Sequence, residues 1–165
     1  MNARRLVLFP VALALVLVAA PGAESQEDSI LWRSGCHGVT KETIRFGDRS
    51  MSRLDFFCAM ERVGEEGFLH RTSLFCPIVS EVVGDTSRLF GHCVIVDAEG
   101  DEVYLTVERK SKPGVSGAGR WQITGGSGRY REATGSGTYY ATYLPSAKDG
   151  TFQLIVEWFG KGGVR

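Results

Sequence analysis

The sequence predicts an all-β fold, a single antiparallel β-barrel of about eight strands. Three observations predict it. Glycine supplies 21 of 165 residues, well above a usual share of roughly 7%, which signals many tight turns. From residue 86 onward, apolar and polar residues alternate in short runs bounded by Gly, Asp, Ser and Pro, the period-2 pattern of half-buried strands. Two adjacent hairpins, read separately, place their apolar residues on one shared face. A sandwich suits the same pattern; closure into a barrel has the added merit of leaving no free strand edge.

Residues 1–23 read as a secretory signal peptide. Arg4 and Arg5 open it, an apolar run from Leu6 to Ala20 follows, and Ala23 precedes Glu24 at a small-residue cleavage point. The run is shorter than the roughly 20 residues needed to span a bilayer. The expected location is therefore exported, periplasmic or extracellular. Lysine plus arginine total 19 and aspartate plus glutamate total 19. That balance excludes a nucleic-acid binder, which needs a basic excess. A hydrophobic share of 43% with 23% charged residues excludes a disordered tail.

Residues 24–49 form an N-terminal segment, partly irregular, with a short strand at Thr43–Phe46. A barrel domain over residues 50–160 and a C-terminal tail over 161–165 complete the expected organisation. Ser50–Val63 reads as strand or helix. Met51, Leu54 and Cys58 have helical spacing, whereas Phe56-Phe57-Cys58 favours a strand. Gly67–Phe75 reads as a strand.

Gly84-Asp85 separates two strand-like runs, Leu74–Val83 and Thr86–Val96, and is a two-residue hairpin signal. Opposed positions in that hairpin sum to 169, as do Cys76 and Cys93. They therefore face each other on one side of the sheet, within disulfide reach. Of the three connectivities open to four cysteines, this leaves Cys36 with Cys58. A one-residue bulge would break the pairing, and Pro77 marks an irregular or edge position. No C-x-x-C pair exists, so no zinc site is expected.

Asp97 to Asp101 is the next turn, followed by a strand over Glu102–Arg109. Cys93 and Ile95 then share a face with Val103, Leu105 and Val107, and the first hairpin adds Leu74 and Ile78. Lys110–Gly119 is a loop and Arg120–Thr124 a strand. Gly125–Gly137 is turn-rich, with a helical turn near Arg129–Glu132. Thr138–Leu144 and Thr151–Phe159 are the last strands, ahead of a fraying end from Gly160. Phe75, Val94, Val96 and Tyr104 lie opposite the inner set. A sheet apolar on both faces implies a second partner, either the N-terminal segment or another subunit.

The run Gly125-Gly126-Ser127-Gly128-Arg129-Tyr130-Arg131-Glu132-Ala133-Thr134-Gly135-Ser136-Gly137 is the most distinctive stretch. It resembles the glycine-rich turn of the allene oxide cyclase and dirigent barrel superfamily, and most nearly that of small exported bacterial proteins of this barrel class. Gly119-Arg120-Trp121-Gln122-Ile123-Thr124 ahead of it, and Gly91-His92-Cys93 through Gly100-Asp101, are similar to stretches in the same proteins. The resemblance covers residues 90 to 160. It implies an eight-stranded antiparallel barrel, often oligomeric, with an apolar cavity. Gly125, Gly126, Gly128, Tyr130 and Gly135 are the structural turn, with Tyr130 and Ala133 sealing one barrel end. It transfers no catalytic residue.

Other chemistries fare poorly. The glycine run lacks the Gly-Lys-Ser/Thr ending of a P-loop and fails the G-x-G-x-x-G spacing. Asp97, Glu99 and Asp101 alternate, but the EF-hand glycine and glutamate are misplaced, so no metal is expected. His37, His70 and His92 are scattered and no G-x-S-x-G elbow exists. No cofactor is expected. Aromatic residues of the second half supply the ligand-binding candidates Tyr104, Trp121, Tyr139 and Trp158, with Arg120, Arg129 or Glu157 to orient a polar end. The functional expectation is an exported, disulfide-stapled barrel binding a small apolar molecule or serving as a structural module. An isomerase or cyclase acting on a lipid-like or phenolic substrate in the barrel is the alternative. Expected partners are a small apolar molecule and other copies of the chain, with neither nucleic acid nor a membrane span after cleavage.

Overall fold

A computed structural model describes residues 28–64 and 67–164; the expected signal peptide lies outside them. Eight strands form in chain order: β1 (Asp28–Phe46), β2 (Arg49–Arg62), β3 (Thr72–Val83), β4 (Thr86–Val96), β5 (Glu102–Ser111), β6 (Gly117–Gly126), β7 (Ala133–Leu144) and β8 (Thr151–Val164). A single 3-10 turn, Gly128–Tyr130, lies between β6 and β7. Each strand pairs antiparallel with its sequence neighbours, and β1 closes on β8. The all-β closed barrel expected from the sequence is the fold, and closure leaves no edge strand.

The front half is more regular than its sequence reads. Residues 28–46, read as an N-terminal segment ahead of the barrel, form its longest strand and pair with both β2 and β8. Ser50–Val63 resolves as strand, within β2 apart from Val63. β3 starts at Thr72, so residues 67–71 belong to a loop. At the other end Gly160–Val164 continues β8 rather than fraying, held by β7 from Ala133 to Gly137.

The hairpin register holds along the whole β3–β4 pair, from Val83 opposite Thr86 to Ser73 opposite Val96. Cys76 and Cys93 are disulfide-bonded, as are Cys36 and Cys58, with Cα atoms 4.1 Å apart in both pairs. No bulge intervenes at Pro77. The proline only removes an N–H from the ladder between Phe75 and Ile78.

Alternation sorts the side chains. On β5, Val103, Leu105, Val107 and Arg109 are buried, while Tyr104, Glu108 and Lys110 are exposed. The inward positions of all eight strands merge into one core. Trp32 stacks obliquely on Trp121 with ring centroids 5.5 Å apart, Tyr139 on Trp158 at 5.2 Å, and Phe56 meets Phe152 edge-on at 5.1 Å. Every buried indole N–H finds an acceptor. Trp158 donates to Ser34 Oγ at 3.0 Å, Trp32 to the Phe68 carbonyl at 3.3 Å, and Trp121 to the Thr138 carbonyl at 3.1 Å.

Outside, exposed charges such as Arg33, Arg53, Arg88, Glu108, Arg120 and Glu157 flank an apolar strip. Phe57 of β2 stacks on Phe75 of β3 with centroids 5.1 Å apart. Val94 and Tyr104 continue the same cross-strand row. Nothing among the described residues covers the strip. An apolar interior within an exterior that carries many charges is the reverse of a transmembrane barrel, whose apolar band faces out. No helix among the described residues is long and apolar enough to cross a membrane.

Candidate functional site: the two ends of the barrel

The barrel ends differ. One end carries the β2–β3 loop, the Asp97–Asp101 turn and the 3-10 turn, and it is sealed. Leu69 is 1% exposed. Phe68 packs against Trp32 and, edge-on, against Tyr130, with centroids 6.1 and 5.7 Å away. Leu69 and Arg71 adopt φ of 57° and 53°, a left-handed conformation that costs a non-glycine residue roughly 1 kcal/mol or more. Burial of the Leu69 side chain offsets this by about 2 kcal/mol.

The glycine-rich turn closes the same end. A Cβ at Gly126 would meet the Tyr130 and Glu102 carbonyl oxygens, and one at Gly128 would strike the Asp101 carboxylate. These contacts, with φ of 50° at Gly128, restrict both positions to glycine. Tyr130 and Ala133 are buried beside them. The Arg129 guanidinium bonds Asp97 and, at 3.1 Å, Glu99, while its backbone N–H reaches Asp101. Two of the three acidic residues that alternate in the sequence, Asp97 and Glu99, thus pair with a side-chain cation, while Asp101 holds the backbone of the same residue. Burial works to raise the Asp97 pKa, but hydrogen bonds from the Asp101 N–H, Tyr130 and Arg129 outweigh it and hold the carboxyl below its ordinary value.

The other end carries the Gly47-Asp48 and Gly84-Asp85 hairpins and the loops 112–116 and 145–150. Among the described residues it has no plug comparable to Phe68, Leu69 and Tyr130. Beneath it lies a cavity of about 50 Å³ lined by both disulfides, Leu89, Val107, Ala141 and Leu154, with Arg109, Tyr139, Tyr143 and Trp158. That volume admits a few waters or the tip of a ligand, and is about a third of what encloses a benzene ring. A larger hollow of about 850 Å³ lies mainly along the outer face between Met51, Phe90, Glu108, Arg120 and Thr138. It is open to solvent and rimmed by charges of both signs. The interior cavity, apolar with a few converging polar groups, has the character of a ligand site.

Of the four aromatic ligand-binding candidates, Tyr139 and Trp158 line this cavity. Trp121 is buried against Trp32, toward the sealed end. Tyr104 is 39% exposed on the outer face, and its hydroxyl donates to Glu102. Its even position on β5 sets it opposite Val103 and Leu105. Arg120, Arg129 and Glu157 are exposed as well, so none of them orients a ligand inside. The inward cation is Arg109, two residues beyond Val107 on the same alternation. Burial pushes the Tyr139 phenol up to about 12, with the Arg109 charge pulling the other way. Tyr139 therefore stays a neutral donor at physiological pH. Among the described residues, no carboxylate or imidazole group lines the cavity.

No family model matches the chain, and no curated protein matches it in sequence. Among solved structures, a pterocarpan synthase dirigent protein superposes with a TM-score of 0.54 at 13% identity, over 86% of this chain and 89% of that one. A second pterocarpan synthase dirigent protein gives 0.48 at 12% identity, over 84% and 96%. The chain has the eight-stranded barrel fold of the dirigent proteins, as the glycine-rich turn implies.

Proposed function

We propose that this protein is an exported, disulfide-stapled barrel that binds a small, largely apolar molecule through its open end. The observation that carries the reading is the asymmetry of the barrel. Phe68, Leu69 and Tyr130 seal one end, while the other leads to an apolar cavity. Half-buried Leu89 and Tyr143 stand at its rim and are the side chains that move when a ligand larger than the cavity enters. Two disulfides support export, because such bonds persist in oxidising compartments. Cleavage after Ala23 leaves residues 24–27 ahead of β1, so the signal peptide is dispensable to the barrel. The uncovered strip of Phe57, Phe75, Val94 and Tyr104 supports self-association.

Native mass spectrometry of the unreduced protein, recovered from the compartment it is exported to, tests all three points. The reading predicts a chain beginning at Glu24, four hydrogens lighter than its reduced form, carrying a small organic molecule. A chain that keeps residues 1–23 removes the export reading. Ligand-free protein that also binds no apolar probe leaves a filled structural barrel. Turnover of the bound molecule would move the assignment to the cyclase or isomerase class.

A further inference from the structure

We propose that the ligand is an anion, a small organic carboxylate whose charged end is held by Arg109 while its apolar tail enters the cavity; this rests on the binding reading above and names its ligand class. Arg109 is 7% exposed and lies inside the barrel. A buried guanidinium is ordinarily matched by a carboxylate, because an unpaired buried charge is costly. Here the partners are neutral. Nε and Nη2 donate to Ser111 Oγ at 3.1 and 2.9 Å, and Nη2 donates to the Val115 carbonyl at 2.7 Å. The Tyr143 ring lies 5.5 Å from the guanidinium carbon. A guanidinium has five N–H donors, and those on Nη1 have no partner among the described residues. No carboxylate among the described residues lies within ion-pair distance of it.

The surroundings suit an anion. Thr43, Ser52, Ser80, Leu89 and Arg109 form one row across five strands through successive register partners. Ser87 and Ser111 oppose each other in the next row outward. Hydroxyls pair along the mouth, Thr43 with Ser52 at 2.9 Å and Ser80 with Ser87 at 3.2 Å. The row of Ser87 and Ser111 continues through Val82 and Ser50 to exposed Arg45 on β1, so the interior passes from apolar cavity to a hydroxyl-rich rim in which Arg109 is the buried cation and Arg45 the exposed one. A carboxylate at Nη1 gains charge-assisted hydrogen bonds and compensates the buried charge. The apolar walls below exclude a ligand that is polar throughout.

Calorimetric titration with hexanoate and hexan-1-ol tests this. The probes share a chain and differ in head-group charge. The folded wild-type barrel is expected to bind hexanoate about tenfold or more tightly than hexan-1-ol. Arg109→Gln is expected to remove that preference while still binding hexan-1-ol, and Arg109→Lys to keep part of it. Should Arg109→Gln not fold, lowering the pH with wild-type protein reads the same charge, because protonated hexanoate then binds like hexan-1-ol. Equal affinities at neutral pH, or a preference that survives in folded Arg109→Gln, overturn the anion proposal and leave the binding reading standing. Failure of both probes to bind wild-type protein overturns both.

Discussion

Replacing Cys76 and Cys93 together by alanine is predicted to lower the free energy of unfolding by about 4 kcal/mol. The bond closes a loop of 17 residues. Loop-closure entropy removed from the unfolded chain corresponds to about 3 kcal/mol at that length. Both sulfurs also line the interior cavity, and enlarging it adds roughly 1 kcal/mol. The same replacement at Cys36 and Cys58, which close 22 residues, is predicted to match it closely, because the entropy grows only with the logarithm of loop length. Guanidinium unfolding of the three proteins measures this. The midpoint falls in both variants, and the slope rises, because an unfolded chain without the cross-link exposes more surface. In a thermal scan, about 4 kcal/mol corresponds to a drop of roughly 8–16 °C for a domain of this size. A loss near 1 kcal/mol with an unchanged slope would mean that only packing was lost, and would refute the argument that the bonds act by restraining the unfolded chain.

Acid and alkali probe the two ends separately. Asp97 is held below its ordinary value of 3.8, so its contribution is present above that pH and is lost as pH falls through the lower folded value. Stability of the wild type is predicted to fall below about pH 4, and Asp97→Asn to flatten that part of the profile in chemical denaturation; parallel profiles would contradict it. Tyr139 is raised from 10.0 to about 12, so its contribution is present below pH 10 and is lost as pH rises through 12. Tyr139→Phe is predicted to reduce alkaline destabilisation and to remove the last phenol to ionise in an absorbance titration. Gly126→Ala pushes a Cβ into two carbonyl oxygens and is predicted to cost more than about 2 kcal/mol. Gly35→Ala, with open space around its Cβ, is the near-neutral comparison in the same thermal melts.

Much of the barrel is legible because its information is local. Gly84-Asp85 alone sets the β3–β4 register, and with it the Cys76–Cys93 bond. Gly47-Asp48 is the same signal, with φ of 60° at Gly47, and it marks the β1–β2 hairpin that the front-half reading lacks. Extended from that turn without interruption, the register would set Cys36 opposite Ala59. A bulge between Thr40 and Glu42 shifts the pairing by one and brings Cys58 into place. Such a bulge answers to closure of the barrel around β1, and no residue near Lys41 announces it. β1 itself reads poorly because its two hydrogen-bonded partners, β2 and β8, lie far apart in the chain.

The candidate site was legible by alternation and obscured by residue type. Tyr104 attracts attention as an aromatic, yet the parity that places Val103 and Leu105 inside places Tyr104 outside. The same parity turns Arg109 inward, where a charged residue near a strand end is ordinarily taken as solvated. The plug of Phe68 and Leu69 depends on left-handed backbone at Leu69 and Arg71, which no glycine signals.

The most direct test of a one-ended binding barrel is an amide chemical-shift titration of the folded protein with hexan-1-ol, a probe that is neutral to the charge question. The account predicts shifts concentrated at the open end and along the cavity, at Leu89, Arg109, Ala141, Tyr143 and Leu154, with Phe68, Leu69 and Tyr130 unmoved. Shifts centred on the Phe68–Tyr130 end, or on the outer strip of Phe57 and Phe75, would contradict it.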